Sequence, residues 1–146
     1  MAKAKNFFNE AEQKQIIEAI KIAEKNTSGE IRLHLEDTCK SGALKRAEQL
    51  FSKLEMQKTG ESNGILFYLA VKSRDFAIVG DVGIHAKVGQ EFWDRVIEKA
   101  INQFKTGQFS KGLEDAILEC GMQLKKYFPY QSNDTNELSD EISFNK

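Results

Sequence analysis

Ile65-Leu66-Phe67-Tyr68-Leu69-Ala70-Val71, Lys72-Ser73-Arg74-Asp75 and Phe76-Ala77-Ile78-Val79 follow one another without a break, and their reading decides the fold. The first block is apolar throughout, with no alternation. A short unbroken apolar run bounded by turns is the pattern of a central strand covered on both faces. The polar tetrapeptide after it is a tight connection, so the second and third blocks predict a β-hairpin. Upstream, Glu30-Ile31-Arg32-Leu33-His34-Leu35-Glu36 alternates strictly. Ile31, Leu33 and Leu35 share one face, and Arg32, His34 and Glu36 the other, which predicts a strand with one buried face near a sheet edge.

Between these strands, Leu44, Ala47, Leu50, Phe51 and Leu54 recur at helical spacing. A strand–helix–strand crossover makes the first two strands parallel, and the hairpin makes the third antiparallel to the second. Three more helices flank this unit. Asn9 and Glu12 form a capping-box pair with Phe8 placed as a staple, ahead of Ile16, Ile17, Ile20 and Ala23. Trp93, Val96, Ile97, Ala100, Ile101 and Phe104 outline the next, closed by Gly107. Leu113, Ile117, Cys120, Leu124 and Phe128 outline the last, ended by Pro129. The fold expected is an α/β three-layer αβα sandwich, with a small mixed sheet of three to four strands and about four helices. Gly83 to Val88 is the candidate fourth strand.

The chain has 146 residues, 40% of them hydrophobic and 29% charged, enough for one domain with a real core and no disulfides. Residues 1–129 read as the domain and 130–146 as an acidic, disordered tail carrying Asp134, Glu137, Asp140 and Glu141. A net charge of −1 calls for neither nucleic acid nor an anionic membrane. The first residues contain no apolar leader core, and no stretch approaches the length of a membrane helix. Cys39 and Cys120 have no pairing pattern. The expectation is a monomeric cytoplasmic protein.

Strand direction has a chemical consequence. The parallel strands begin, and the antiparallel strand finishes, at one end of the sheet. That rim collects Glu30, the loop with Glu61 and Asn63, Asp81, and the next helix start with Glu91 and Asp94. Carboxylates forced together repel and need a proton or a cation. Ca²⁺ and Mg²⁺ take oxygen ligands from carboxylates, amides, backbone carbonyls and water, and glycines 60, 64, 80 and 83 let carbonyls turn inward. His85 is the one softer ligand nearby, which disfavours zinc. The bland reading of these acids is solvated loops and helix starts, where the dipole favours negative charge.

Ser62-Asn63-Gly64-Ile65-Leu66-Phe67-Tyr68-Leu69-Ala70-Val71 and Arg74-Asp75-Phe76-Ala77-Ile78-Val79-Gly80-Asp81-Val82-Gly83-Ile84 together resemble the TPM domain, the thylakoid-lumen phosphatase-like family. Ser28-Gly29-Glu30-Ile31, Phe92-Trp93-Asp94 and the run from Phe104 to Leu113 agree with it, so the resemblance spans roughly residues 8–128. It implies an αβα sandwich whose paired crossing loops hold divalent metal. Asn63, Asp81 and Asp94 match the family's positions best, Glu30 and Glu61 rest on geometry, and Glu91 is held in reserve. Some members are described as acid phosphatases, and many carry a signal peptide and a membrane tail, neither of which this chain shows.

The first expectation is a divalent-metal-binding module (Ca²⁺ or Mg²⁺) whose loops are ordered by the ion and read by an unidentified protein partner. The second is a metal-dependent acid phosphatase acting on phosphomonoesters, with Lys58, His85 or Lys87 as nearby charge. The third is a metal-independent protein-interaction domain. Neither cysteine sits in a phosphate-cradling loop. His34 reads as a solvated or packed histidine, and Trp93 and Tyr68 as core.

Overall fold

The computed structural model describes residues 3–130 and 142–144. In chain order the elements are α1 (Ala4–Phe7), α2 (Glu10–Glu24), β1 (Glu30–Glu36), α3 (Ala43–Lys53), β2 (Gly64–Ala70), β3 (Asp75–Gly80), α4 (Val82–Val88), α5 (Gln90–Lys105), α6 (Phe109–Tyr127) and β4 (Ser143–Phe144), with a 3₁₀ turn at Met56–Lys58. The capping box of α2 is present in full. Asn9 Oδ1 accepts from the Glu12 amide at 2.8 Å, and Glu12 Oε1 accepts from the Asn9 amide at 2.9 Å. The two bonds satisfy amides that a helix start otherwise leaves unpaired.

The strands form one mixed sheet in the order β3-β2-β1-β4. β1 runs parallel to β2, with Glu30 opposite Gly64 and Glu36 opposite Ala70. β3 returns antiparallel, with Gly80 opposite Ile65. Every residue of β2 is buried, as its unbroken apolar run requires. On one face, Ile31, Leu33, Leu35, Ile65, Phe67, Leu69, Phe76 and Ile78 pack with the apolar sides of α2, α5 and α6. On the other, Leu66, Tyr68, Ala70 and Ala77 pack under Ala47, Leu50 and Phe51 of α3. These are the three layers of an αβα sandwich. Each large side chain so buried contributes about 1.5–3 kcal/mol.

The start of β1 is fastened by the far end of the chain. Thr27 pairs with Pro129, the Ser28 amide donates to the Phe128 carbonyl at 3.0 Å, and Thr27 Oγ1 donates to the Leu124 carbonyl at 3.0 Å. Helices α2 and α6 also approach closely. A methyl group built on Gly121 would lie 2.5 Å from the Ala23 Cβ.

Three expectations are corrected. Gly83 to Val88 is helix α4, begun by Asp81, whose Oδ1 accepts from the Val82 amide at 2.8 Å. The fourth strand is β4, from the C-terminal segment, pairing parallel to β1 at His34 and Leu35. The expected disordered tail therefore includes an ordered strand next to a buried Ile142, while residues 131–141 and 145–146 lie outside the described residues. Lastly, the polar face of β1 is not a solvent face: Glu30, His34 and Glu36 are all buried. Arg46 of α3 grips the Glu36 carboxylate with two nitrogens, and the Tyr68 hydroxyl donates to it at 2.7 Å. Paired in this way the charge tolerates burial.

Burial alone would push the Glu36 carboxyl up, but the hydrogen bonds from Arg46 and Tyr68, with the Arg46 charge, outweigh it and hold it below its usual value. Burial dominates at His34 and pushes its imidazole down, against the pull of Glu36. His34 Nδ1 is 2.7 Å from Ser143 Oγ, which ties β4 to the same network. Among the described residues no helix is long and apolar enough to cross a membrane.

Candidate functional site: the acidic rim

The rim where β1 and β2 begin and β3 ends is assembled by backbone pairing. The Asp81 amide donates to the Gly64 carbonyl at 2.9 Å, immediately beyond the last β2–β3 pair. The amides of Gly83 and Ile84 then both donate to the Ser62 carbonyl, at 2.8 and 3.3 Å. Ser62 adopts a left-handed backbone, φ +53°, a conformation that costs a non-glycine residue roughly 1 kcal/mol. The loop before β2 and the turn after β3 thus press directly on each other. A methyl group on Gly83 would lie 2.6 Å from the Ser62 carbonyl oxygen and closer still to that of Glu61. Glycine is required there for close approach rather than for backbone freedom.

Side chains continue the contact. Ser28, two residues before β1, donates its hydroxyl to Glu61 Oε2 and accepts from Asn63 Nδ2 at 3.1 Å. The Asn63 amide is held by Thr59 Oγ1 at 3.1 Å. Asn63 is buried, and among the described residues its Oδ1 has no hydrogen-bond partner. The same holds for Asp81 Oδ2, whose sister oxygen is engaged by the Val82 amide. Two buried acceptors without donors, on the same pair of touching loops, are costly. An acceptor so placed forfeits about 1–3 kcal/mol of solvation unless a water or an ion meets it.

Of the five residues singled out from the sequence, the structure brings Glu61, Asn63 and Asp81 together on these loops. Glu30 is at the same rim, buried in register with Gly64 and not without a partner. Asp94 is exposed on α5, and its Oδ1 accepts from Gln90 Nε2 at 2.9 Å, one turn back on the same helix. The reserve candidate Glu91 is also exposed, in the first turn of α5. Ser28 is the residue sequence reasoning missed. Its signal was parity, since it lies two positions before Glu30 on the same strand path.

Among the described residues no three His, Cys, Asp or Glu side chains gather closely enough to hold a metal by themselves. Any cation here would draw on a mixed donor set, two carboxylates with an amide oxygen and backbone carbonyls, which hard ions accept. His85, on α4, is turned elsewhere. Its Nδ1 accepts from Trp93 Nε1 at 2.9 Å, so that nitrogen is already engaged. Lys58 is paired with Glu55 at 3.0 Å.

The BA42 protein of the psychrophilic bacterium Bizionia argentinensis, solved by NMR, is 45% identical with a TM-score of 0.89, across 99% of this chain and 100% of that one. The N-terminal domain of a P. gingivalis protein shares the fold at 15% identity and TM-score 0.70, covering 86% of this chain and 83% of that one. The N-terminal domain of the cg2496 protein from Corynebacterium glutamicum does so at 12% identity and 0.65, covering 89% and 81%. No functionally curated protein matches. The sequence model of the TPM domain matches residues 1–123, and the chain belongs to the TPM domain family.

Proposed function

We propose that the acidic rim binds a hard divalent cation, Ca²⁺ or Mg²⁺, through Glu61, Asn63 and Asp81, and that the ion orders the two touching loops into a surface read by a protein partner in the cytoplasm. The observation that carries this reading is the pair of buried acceptors left without donors, Asn63 Oδ1 and Asp81 Oδ2. A hard cation is one partner that accepts an amide oxygen and a carboxylate oxygen together, and the two nearby carboxylates favour it over a neutral donor. Glu61 and Asp81 supply two formal negative charges, which match a divalent ion, and backbone carbonyls and water fill the remaining positions. Glu30, opposite Gly64, is the rim's other acid.

Hydrolysis of phosphomonoesters would need, besides the ion, a cation free to meet phosphate oxygens. Of the three charges considered, His85 is engaged by Trp93 and Lys58 by Glu55, which leaves Lys87 of α4, exposed, as the charge for phosphate, and the metal-binding module, which needs none, is preferred over the phosphatase.

The test is thermal unfolding and amide NMR with added Ca²⁺ or Mg²⁺ against chelator. An ion at 100 times its dissociation constant stabilises by about 2.7 kcal/mol, which in a domain this size raises Tm by about 6–10 °C. Shifts should centre on residues 60–64 and 80–84, and Asp81→Asn or Glu61→Gln should weaken the ion about tenfold or more. Unchanged melting and unchanged loop resonances with both ions would leave a metal-independent interaction domain.

A further inference from the structure

At the hairpin end of the sheet, away from the acidic rim, Leu69, Ile101, Phe104 and Phe109 line a half-open cavity of about 210 Å³ that Arg74 and Lys105 complete. Its aromatic floor is built in advance. Phe104 and Phe109 stack at 5.0 Å with 13° between planes. Phe76 meets Phe104 edge-on at 5.1 Å, and Phe7 meets Phe109 edge-on at 5.0 Å. Rings wedged from two sides cannot swing in to close the space.

The charge around this apolar surface has one sign. Arg74 projects from the β2–β3 turn in a left-handed conformation, φ +60°, and its guanidinium carbon is 5.5 Å from the Phe109 ring centre. Lys105 ends α5. Among the described residues no acid lines the cavity and neither cation has a carboxylate within 4.0 Å. The helix dipole favours Lys105 and the Phe109 ring holds Arg74, and together they set two positive charges at one opening.

We infer that this cavity binds a small amphipathic anion, one aromatic ring or branched apolar group bearing a carboxylate. The apolar part lies on Phe104 and Phe109, and the carboxylate lies between Arg74 and Lys105. Size sets the class: a cavity of roughly 150 Å³ holds a benzene ring, whereas drug-sized ligands and nucleotides need roughly 300 Å³ or more. This site is separate from the cation rim and does not depend on it.

The probe is 3-phenylpropionate, titrated into the full chain with chelator present and followed by amide NMR. Saturable shifts are expected at residues 69, 74, 101, 104, 105 and 109, with a dissociation constant on the order of 1 mM for a ligand of this size. The Arg74→Gln, Lys105→Gln double variant, changed at two exposed positions and checked for an unaltered melting curve, should bind about fivefold to tenfold more weakly. The neutral 3-phenylpropanamide should lose as much on the parent protein. No saturable shift up to about 20 mM, far above the expected constant, overturns the inference. So does equal binding of acid and amide, or an unaffected double variant.

Discussion

Gly83→Ala tests the crossing on which the candidate site depends. The new methyl group would lie 2.6 Å from the Ser62 carbonyl oxygen and closer to that of Glu61, where ordinary contact begins at 3.4 Å. Both obstacles are backbone, so no side chain can rotate away. The loop must retreat by about 1 Å, a form of overpacking that costs about 1–3 kcal/mol. The retreat stretches the two amide bonds to the Ser62 carbonyl, now 2.8 and 3.3 Å, for about another 1 kcal/mol. Alanine's better helix propensity in α4 offsets about 1 kcal/mol. The net expectation is destabilisation by about 2 kcal/mol and a Tm lowered by about 4–8 °C, measured by far-ultraviolet circular dichroism. Gly60→Ala is the control within the same loop. Nothing lies within 4 Å of its added methyl, so the expected result lies between no change and about 1 kcal/mol of stabilisation through the unfolded chain. A Gly83→Ala protein melting within a degree of its parent, or a Gly60→Ala protein damaged equally, would refute the loop contact.

Two further expectations concern the remainder of the molecule. His34, faced by Glu36, Arg46, Arg32, Tyr68 and Ser143, has its proton affinity lowered by burial. The unfolded chain therefore binds the proton first, and stability should fall as pH drops below about 6.5, by at most about 1.4 kcal/mol per pH unit. Glu36, also lowered, adds a second loss below about pH 4.3. Urea unfolding of His34→Gln should remove the first loss and keep the second, and a parent equally stable at pH 7 and 5.5 would contradict the burial argument. Gly121→Ala places a methyl 2.5 Å from the Ala23 Cβ and 2.6 Å from its Cα. It should force α2 and α6 apart at about 2–3 kcal/mol, and an unchanged urea midpoint would show that the helices have slack.

The parts legible in the sequence were those whose cause is local. The α2 cap, the unbroken apolar run of β2, the hairpin turn and the breaks at Gly107 and Pro129 each act within a few residues. So did strand direction, which was enough to place Glu61, Asn63 and Asp81 on one rim. What was not legible depended on distant partners. Arg32, His34 and Glu36 alternate like a solvent face, yet Arg46 and Tyr68 make burial of Glu36 tolerable and Ser143 meets His34, and nothing beside either residue announces them. Helix α4 has a glycine, a histidine and a lysine in seven residues and only Ile84 buried, so no apolar stripe marks it. β4 needs the edge of β1, 109 residues away from Ser143 at His34.

The clasp between Thr27 and the end of α6 joins positions 97 residues apart, with consequences for synthesis. A nascent chain makes the first strand early, but its starting end stays unfastened until the last helix has been translated. At about 5–20 residues per second the delay is about 5–20 s. During that interval the sheet face that packs on α2, α5 and α6 is only partly covered. A protein built this way benefits from chaperone shielding or from rapid completion of its own message, and stalling before Leu124 would leave it unable to hold its shape.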